Sequence, residues 1–374
     1  MRRVVLLKSR AKNHGGLEKY ASRIAGAFLE EGDRVSILTT GKGDPQLEVP
    51  VFGTKTVPWP AFIRMDQFDW FVADWLKKNG ADLVFGMDRN RFQTHFRAGN
   101  GVHAAYLKSR FQTDPLWKAC ICRFNPLHRK ILELEEAAFE NPNLQKLFTN
   151  SEMVKGQILE HYSTDPAKIE VIHNGVEWHE MEGDFKNWEK EREAGLKKWN
   201  LDPTHFHFLF IGNGYSRKGL DRLLLALSLM KEKPFHLSVI GKDNRIDAYR
   251  MQVEKLKLKE RVRFFGVSGE IRSFYQMADC LVIPSFYDPF ANVTVEALAM
   301  GLFVVSSKHN GGHEILNANN GAIIEELRSP DAMIAALQKA LEKGKDQKRA
   351  LLIRESVRHL DFSNQLKKLM RACG

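Results

Sequence analysis

Two acidic residues in the stretch PSFYDPFANVTVEALAMG (284–301), Asp288 and Glu296, have the types and the spacing of a ligand site. Asp288 lies in a polar loop, and Glu296 lies near the start of a segment with helical spacing that Gly301 closes. A carboxylate near the start of such a helix can accept hydrogen bonds from two vicinal hydroxyls, as acidic residues of nucleotide-binding folds do with a ribose. Glu296 is therefore either a ribose-binding acid or an ordinary acid that stabilises the first turn of its helix.

Two adjacent cations form a second candidate site. The strand-like run HFLFI (207–211) leads into GNGYSRKG, which begins at Gly212, and a helical segment follows. A dinucleotide-binding turn would need the pattern G-x-G-x-x-G, but Arg217 occupies the place of the third glycine. What remains is a glycine turn with Arg217 and Lys218 at a helix N-terminus, where backbone N–H groups and the helix dipole favour an anion. The pair predicts a diphosphate site, with a solvated basic turn as the alternative.

A third candidate lies in the first loop of the chain. Gly15 and Gly16 precede a helical segment, and their lack of side chains would let a ligand approach the backbone closely. The four cysteines form no CxxC pair and have no histidine spacing typical of zinc. The sequence therefore predicts reduced thiols and no metal site.

Short apolar runs alternate with helical segments along the whole chain. Strand–helix–strand order predicts parallel sheets that helices cover on both faces, with the ligand beyond the carboxyl ends of the strands. A polar, charge-rich stretch at 177–205 interrupts the pattern, so we expect two Rossmann-like domains joined near 174–185. The predicted strands are 4–8, 35–39, 82–86, 146–149 and 169–172 in the first half, and 207–211, 236–240, 262–265, 280–283 and 303–306 in the second.

The composition is that of a globular protein, since 43% of the 374 residues are hydrophobic and 27% are charged. This length suits two domains rather than one core. No apolar run approaches the roughly 20 residues of a membrane span. The N-terminal MRRVVLLKSR has too short an apolar run for a signal peptide, so we expect the protein to stay in the cytoplasm.

The net charge of +10 indicates an anionic partner, such as a phosphorylated substrate, an acidic membrane face or nucleic acid. Residues 106–130, YLKSRFQTDPLWKACICRFNPLHRK, combine six Lys or Arg residues with several aromatic ones. Such a mixture is typical of a surface that lies on anionic lipid or binds nucleic acid. The alternative is a helix-rich insertion whose aromatic residues are core and whose charges are solvated.

Several motifs together resemble a known family. GNGYSRKG, VIGKD, VRFFG, ADCLVIPSFYDPFANVTVEALAMG and SSKHNGGHEIL resemble the C-terminal half of retaining GT-B glycosyltransferases, in the sucrose- and glycogen-synthase-like family (glycosyl transferases group 1). GGLEKYASRIAGAFLEEGDRVSILT and VIHNGVE resemble the N-terminal half and the linker. The overall length and GNGVHAAYL look most like members that glucosylate the inner core of lipopolysaccharide.

The resemblance implies an α/β GT-B fold of two Rossmann-like, doubly wound domains that face a central cleft. Residues 1–175 would form the acceptor-binding domain, and a C-terminal helix at about 360–374 would return to it. Residues 176–359 would form the domain that binds the nucleotide-sugar donor.

The resemblance also implies a role for each candidate residue. Glu296 corresponds to the ribose-binding acid and Asp288 to the acid beside the donor sugar. Arg217 and Lys218 correspond to the pair that contacts the donor diphosphate. The family usually has glutamate in place of Asp288, and aspartate reaches roughly 1.5 Å less far. Either the loop moves inward or the donor sugar is not the usual glucose.

Further residues are expected to contact the donor. Gly15 and Gly16 correspond to the N-terminal loop that closes over the diphosphate. His103 corresponds to a histidine near the donor sugar, with a buried structural histidine as the alternative. Ala291 replaces the usual glycine, which again concerns the identity of the donor. Other expected donor contacts are Gly212, Phe290, Ala291 and Asn292.

The expected activity is metal-independent, retaining transfer of a hexose from a nucleotide sugar, UDP-glucose or a related UDP-sugar. The acceptor would be a lipid-linked or phosphorylated sugar, such as the heptose inner core of lipopolysaccharide. The nucleotide sugar is a co-substrate, and no cofactor is expected. Residues 106–130 would hold the protein peripherally on the inner face of the cytoplasmic membrane, with no nucleic-acid partner. Two alternatives remain, a sugar-nucleotide epimerase on the same fold and a basic nucleic-acid-binding protein.

Overall fold

The computed structural model describes residues 1–9, 16–41, 49–113, 124–230 and 234–374. The chain forms two compact units. Unit 1 comprises Met1–His173 and Gln365–Gly374, and unit 2 comprises Asn174–Asn364. Each unit contains one parallel sheet, so the predicted pair of Rossmann-like folds is confirmed.

Unit 1 has a seven-stranded sheet in the order β3-β2-β1-β4-β5-β6-β7. All of its pairings are parallel, which requires a crossover segment between successive strands. The strands are β1 (Arg3–Lys8), β2 (Arg34–Thr40), β3 (Val51–Thr54), β4 (Leu83–Gly86), β5 (His95–Arg97), β6 (Lys146–Thr149) and β7 (Ile169–Val171).

Unit 2 has a six-stranded parallel sheet in the order β10-β9-β8-β11-β12-β13. The strands β11 and β12 are buried along their whole length, as expected for strands covered on both faces. The strands are β8 (Phe206–Ile211), β9 (Phe235–Ile240), β10 (Val262–Gly266), β11 (Cys280–Ile283), β12 (Phe303–Ser307) and β13 (Gly321–Ile324).

Helices fill the crossovers, and in the described part of the chain none is long and apolar enough to span a bilayer. They are α1 (Gly16–Glu30), α2 (Ala61–Asn79), α3 (His103–Thr113), α4 (Pro126–Phe139), α5 (Glu152–His161), α6 (Glu182–Lys186), α7 (Trp188–Lys198), α8 (Leu220–Leu229), α9 (Ile246–Lys255), α10 (Ile271–Met277), α11 (Asn292–Ala299), α12 (Pro330–Leu341), α13 (Gln347–Ser356) and α14 (Phe362–Ala372).

Alternation along β1 explains how the sheet of unit 1 is covered on both faces. Val4 and Leu6 form a core with residues of α1 and of the last helix, α14. Val5 and Leu7 point the other way and form a second core with residues of α2. Successive side chains of β1 thus point alternately to the helices on one face of the sheet and to the helix on the other. The expected return of the C-terminal helix to the first domain is confirmed in α14.

The polar, charge-rich stretch 177–205 is folded as part of unit 2. It contains α6 and α7, and Trp178, Phe185 and Trp188 are buried in the core of unit 2. The guanidinium of Arg354 lies 4.1 Å from the Trp178 ring centroid and donates to the Trp178 carbonyl at 2.6 Å. The charged residues of this stretch lie on the solvated faces of its helices. The opposite faces bury a few large aromatic side chains.

All ten predicted strands are confirmed, with ends that differ by at most one residue. The sequence analysis missed β3, β5 and β13, which have only three or four residues each. Segments this short show too few alternations to be recognised by period.

Candidate functional site

Most of the predicted site residues lie at the carboxyl ends of β8, β11 and β12 in unit 2. Strand β11 pairs with β8 on one side and with β12 on the other, so the three ends are adjacent. We name the loop after β8 (212–219) the cation loop, the loop after β11 (284–291) the acid loop, and the turn after β12 (308–312) the asparagine turn. These three segments form the candidate site.

Glycines let the cation loop approach its neighbours. Gly219 has φ of +75°, and a Cβ atom there would lie 1.9 Å from the carbonyl oxygen of Pro284 in the acid loop. A Cβ at Gly212 would lie 3.1 Å from the Cγ and Cε atoms of Lys218, so the stem of this lysine covers the glycine. The N–H of Phe286 donates to the carbonyl of Arg217 at 2.9 Å. The backbones of the two loops are therefore in direct contact.

Tyr215 anchors the cation loop in the core. Its side chain is fully buried, its hydroxyl donates to the carbonyl of Gly241 at 2.9 Å, and its N–H donates to Oδ2 of Asp243 at 2.7 Å. Both acceptors follow β9, so the loop is also tied to the strand on its other side. Burial raises the pKa of Tyr215 to about 12, which keeps the hydroxyl a donor near neutral pH.

Arg217 and Lys218 share one buried carboxylate. Nζ of Lys218 lies 2.5 Å from Oδ2 of Asp288, and a terminal nitrogen of Arg217 lies 3.3 Å from the same oxygen. The same nitrogen of Arg217 donates to the carbonyl of Tyr287 at 2.7 Å. Lys218 and Asp288 are each 8% exposed, whereas the side chain of Arg217 is 37% exposed. Two cations facing one acid leave one positive charge in excess, directly before the N-terminus of α8, so the cluster can bind an anion.

The asparagine turn holds the acid loop in place through Asp288. The N–H of Asp288 donates to the carbonyl of His309 at 2.9 Å, and the N–H of Gly311 donates to the carbonyl of Asp288 at 2.9 Å. These two bonds extend the pairing of β11 and β12 into the loops. The backbone on both sides of the carboxylate is therefore fixed.

Asn310 is the centre of this turn, and its side chain is completely buried. Its Oδ1 accepts hydrogen bonds from the N–H of Ala291 at 2.9 Å and from the N–H of Gly312 at 3.2 Å. Its Nδ2 donates to the hydroxyls of Ser306 at 2.9 Å and of Thr294 at 3.2 Å. One amide thus connects the acid loop, β12 and α11.

Glu296 is the fifth residue of α11 and lies in the second turn of the helix. The interpretation of Glu296 as an ordinary first-turn acid is therefore wrong, since the first turn carries no acidic residue. Its Oε2 accepts a hydrogen bond from the hydroxyl of Tyr275 at 2.7 Å. Burial raises the pKa of Glu296, and the bond from Tyr275 acts in the opposite direction.

Phe290, Ala291 and Asn292 connect the acid loop to α11. Phe290 and Ala291 are buried, and Asn292 is exposed. Nδ2 of Asn174 donates to Oδ1 of Asn292 at 2.6 Å and to the carbonyl of Phe290 at 3.3 Å. Because the N–H of Ala291 already donates to Asn310, it is not one of the donors left for a ligand.

The remaining predicted site residues belong to unit 1. Gly15 lies outside the described residues, and Gly16 is the first residue of α1. His103 is the first residue of α3, and its Nε2 lies 3.0 Å from Nδ1 of His128, so one ring donates a hydrogen bond to the other. Burial, together with the nearby Arg89, lowers the pKa of His103 to about 4. The imidazole is therefore neutral near pH 7.

Glu135, a fully buried acid of α4, fixes the start of α3. Its carboxylate accepts hydrogen bonds from the N–H of His103 at 2.8 Å, from the N–H of Ala104 at 3.1 Å and from Nε of Arg89 at 2.7 Å. The hydroxyl of Tyr162 adds a bond at 2.8 Å. A negative charge at a helix N-terminus is stabilised by the dipole and the free N–H groups.

Sequence reasoning missed four residues of these clusters, namely Tyr215, Tyr275, Asn310 and Glu135. Asn310 carries a signal that could have revealed it, because it follows a fully buried strand closely and precedes two glycines. The two tyrosines and Glu135 lie among core residues of helices or turns and carry no such signal. Their partners become visible only when the fold is known.

Two family models match the chain. Residues 191–355 match the family Glycosyl transferases group 1, and residues 14–179 match Glycosyltransferase Family 4. The lipopolysaccharide glucosyltransferase WaaG of Escherichia coli (strain K12) is 25% identical over 335 residues, which are 87% of this chain and 86% of that protein. The first family match lies within unit 2, and the second covers most of unit 1 and ends six residues (174–179) inside unit 2.

Solved structures share the fold. The crystal structure of WaaG, a glycosyltransferase involved in lipopolysaccharide biosynthesis, matches with a TM-score of 0.77 at 24% identity and covers 98% of both chains. The structure of HepE from Anabaena in complex with UDP-glucose matches with a TM-score of 0.68 at 17% identity, over 100% of this chain and 99% of that one.

The contacts of Asn310 predict a large effect on stability. Asn310→Ala would leave the buried N–H groups of Ala291 and Gly312 without their acceptor, at a cost of about 1–3 kcal/mol each. We expect the free energy of unfolding of unit 2 to fall by the sum of the two costs, about 2–6 kcal/mol, as measured by urea titration. The matched control is Asn319→Ala at an exposed position, where a change within ~0.5 kcal/mol is expected. Equal effects of the two substitutions would contradict the assigned role.

Proposed function

Since the chain belongs to the GT-B glycosyltransferases of group 1, we propose that it is a retaining, metal-independent hexosyltransferase. The donor is a nucleotide sugar, UDP-glucose or a related UDP-sugar, and the acceptor is a lipid-linked sugar such as the heptose inner core of lipopolysaccharide. The observation that carries this proposal is the excess positive charge of Arg217 and Lys218 beside Asp288, at the N-terminus of α8. The similarity to the lipopolysaccharide glucosyltransferase WaaG supports the choice of acceptor, and the similarity to HepE, whose structure contains UDP-glucose, supports the choice of donor.

The cation loop acts on the leaving group. As the bond between the sugar and the diphosphate breaks, negative charge develops on the departing phosphate oxygen. Arg217, Lys218 and the N–H groups at the start of α8 stabilise this charge more than that of the intact donor. Since two side-chain cations and a helix N-terminus supply the positive charge, the proposal needs no metal ion.

The acceptor hydroxyl attacks from the face that the diphosphate leaves, which retains the configuration of the sugar. The departing phosphate oxygen takes the proton of the hydroxyl as the new glycosidic bond forms. A double displacement would instead need a carboxylate nucleophile under the sugar. Asp288 is a poor candidate for a nucleophile because two cations bind its carboxylate. In this proposal Asp288 lies beside the donor sugar, and Glu296 binds the ribose.

Gly15, Gly16 and His103 of unit 1 contribute to donor binding in the proposed enzyme. His103 would offer a neutral imidazole to a hydroxyl of the donor sugar, because its pKa is about 4. Glu135 fixes the backbone at His103 and thereby the position of the ring. The two glycines would allow the backbone to approach the diphosphate.

Residues 106–130 are proposed to lie on the anionic inner face of the cytoplasmic membrane. In the described part of this segment, Phe111 is 48% and Phe124 is 80% exposed. Lys108 is exposed and pairs with Glu160 at 2.7 Å. Exposed aromatic rings together with cations suit the interface between water and anionic lipid. Residues 114–123 lie outside the described residues.

Product analysis with and without acceptor tests the proposed reaction. The protein is incubated with UDP-glucose alone, and then with UDP-glucose and a lipopolysaccharide inner-core fragment that ends in heptose. We expect rapid UDP release and an α-linked product only when the acceptor is present, because UDP-glucose is an α-glycoside and the configuration is retained. Conversion of the donor to its epimer without acceptor would instead indicate an epimerase, and a β-linked product would exclude retention.

Alanine substitution in the cation loop tests the catalytic role of the charges. Arg217→Ala and Lys218→Ala should each lower kcat by about 10²–10³ and change KM less, because the charges act mainly on the transition state. Arg250→Ala, which removes an exposed arginine paired with Asp247, is the control and should keep normal kinetics. Lys218→Arg should rescue only in part, since a guanidinium places its donors differently. Normal kcat in both alanine variants would place the diphosphate elsewhere.

Charge neutralisation tests the proposed membrane surface. Replacing Lys108, Arg110, Lys118 and Arg123 with glutamine should weaken binding to anionic vesicles by roughly 1 kcal/mol per charge. Binding is measured by co-sedimentation with phosphatidylserine-containing vesicles, with neutral vesicles as the control. Activity on a soluble acceptor fragment should persist. A parallel loss of vesicle binding and of this activity would indicate a structural or acceptor-binding segment instead.

A further inference from the structure

Tyr275 is a core tyrosine whose hydroxyl reaches Glu296. The residue is 1% exposed, and its hydroxyl donates to Oε2 of Glu296 at 2.7 Å. A buried hydroxyl is destabilising unless it finds a partner, and Glu296 is that partner. A bond of this length from a hydroxyl to a carboxylate is charge-assisted and stronger than a neutral one. Tyr275 therefore both stabilises the ionised form of Glu296 and restricts its orientation.

The helix that carries Tyr275, α10, is fixed at several points. Arg272 pairs with the carboxylate of Asp184 at 2.6 Å, and Nε2 of Gln276 donates to the carbonyl of Asp184 at 2.9 Å. Nζ of Lys345 donates to the carbonyl of Tyr275 itself at 3.2 Å. These contacts leave the tyrosine little freedom to follow Glu296 if the acid moves. The hydroxyl of Tyr275 therefore has a fixed position, and its hydrogen bond fixes the orientation of the Glu296 carboxylate.

The two oxygens of Glu296 have different surroundings. Oε2 accepts the bond from Tyr275, while Oε1 has no donor among the residues that the structure describes. A vicinal diol binds well to a carboxylate only when the orientation of the acid is set beforehand, because ordering it on binding would lower the affinity. The tyrosine supplies that orientation from the core.

We infer that Tyr275 is a positioning residue for the ribose of the donor: it orients Glu296 so that the free carboxylate oxygen accepts the ribose hydroxyls, and it thereby gives the enzyme preference for ribonucleotides over deoxyribonucleotides. The inference rests on the proposed function, in which Glu296 binds the ribose. Tyr275 itself touches no ligand and acts only through the acid.

Calorimetry with UDP and with 2′,3′-dideoxy-UDP tests this role. In the wild-type protein UDP should bind more tightly, because only UDP offers the two hydroxyls to Glu296. Tyr275→Phe keeps the ring and removes the hydroxyl, and it should lower the affinity for UDP by about 5- to 20-fold, which is less than the loss of a whole charge-assisted hydrogen bond because the acid itself remains. The affinity for dideoxy-UDP should change less than about 2-fold, since that ligand does not use the acid.

The pattern of outcomes separates this inference from the proposed function. If the wild-type protein does not bind UDP, or binds both nucleotides equally, the proposed function or the role of Glu296 fails. If the wild-type protein prefers UDP but Tyr275→Phe weakens both nucleotides equally, the tyrosine is merely structural and the inference is wrong. Unchanged affinities in Tyr275→Phe would also overturn it.

A double-mutant cycle tests whether Tyr275 acts through the acid. In a Glu296→Ala background, Tyr275→Phe should have almost no further effect on UDP binding, because the acceptor of the hydroxyl is absent. The matched control is Tyr162→Phe, which removes a similar hydrogen bond to the carboxylate of Glu135 in unit 1. This control should leave the ratio of the two nucleotide affinities unchanged.

The pH dependence gives an independent readout. The bond from Tyr275 and the nearby Arg272 lower the pKa of Glu296, against the effect of burial. Without the hydroxyl the pKa rises, so protonation should weaken UDP binding at a higher pH in Tyr275→Phe than in the wild-type protein. Dideoxy-UDP measured over the same range corrects for titration of the diphosphate. Identical profiles for the two proteins after this correction would contradict the inference.

Discussion

The buried carboxylate of Asp288, shared by Lys218 and Arg217, is the interaction on which the arrangement of the loops in unit 2 depends. A buried acid or a buried ammonium alone would be strongly destabilising, and each is tolerated here because the other is present. The two cations come from the loop after β8 and the acid comes from the loop after β11, so neither loop can withdraw without leaving an unpaired charge. Gly219 makes the approach sterically possible.

Aspartate in place of the longer acid fits this arrangement. Backbone hydrogen bonds to His309 and from Gly311 hold the main chain of Asp288 on both sides, so the short side chain ends at the two cations. The carboxylate therefore neutralises one of the two positive charges of the cation loop, and one cation remains in excess.

The sequence predicted the parts of the site that depend on chain order. Arg217, Lys218 and Asp288 follow adjacent parallel strands, and the carboxyl ends of such strands meet at one edge of the sheet. The contacts of Asn310 and Tyr275 could not be predicted, because each joins a side chain to a distant segment and no period in the sequence records such a pairing. The helices within 177–205 were missed because a few buried aromatic residues were outnumbered by solvated charges.

Asn310 makes the residues around the acid loop interdependent, which matters for any attempt to redesign this loop. Ala291, Gly312, Thr294 and Ser306 all bond to this one amide, so a substitution at any of them changes the surroundings of the others. Effects of combined substitutions here will not add, whereas those at distant sites will. A library that varies these positions together will therefore contain functional combinations whose single substitutions are harmful on their own. Testing one substitution at a time in the original sequence would reject those combinations.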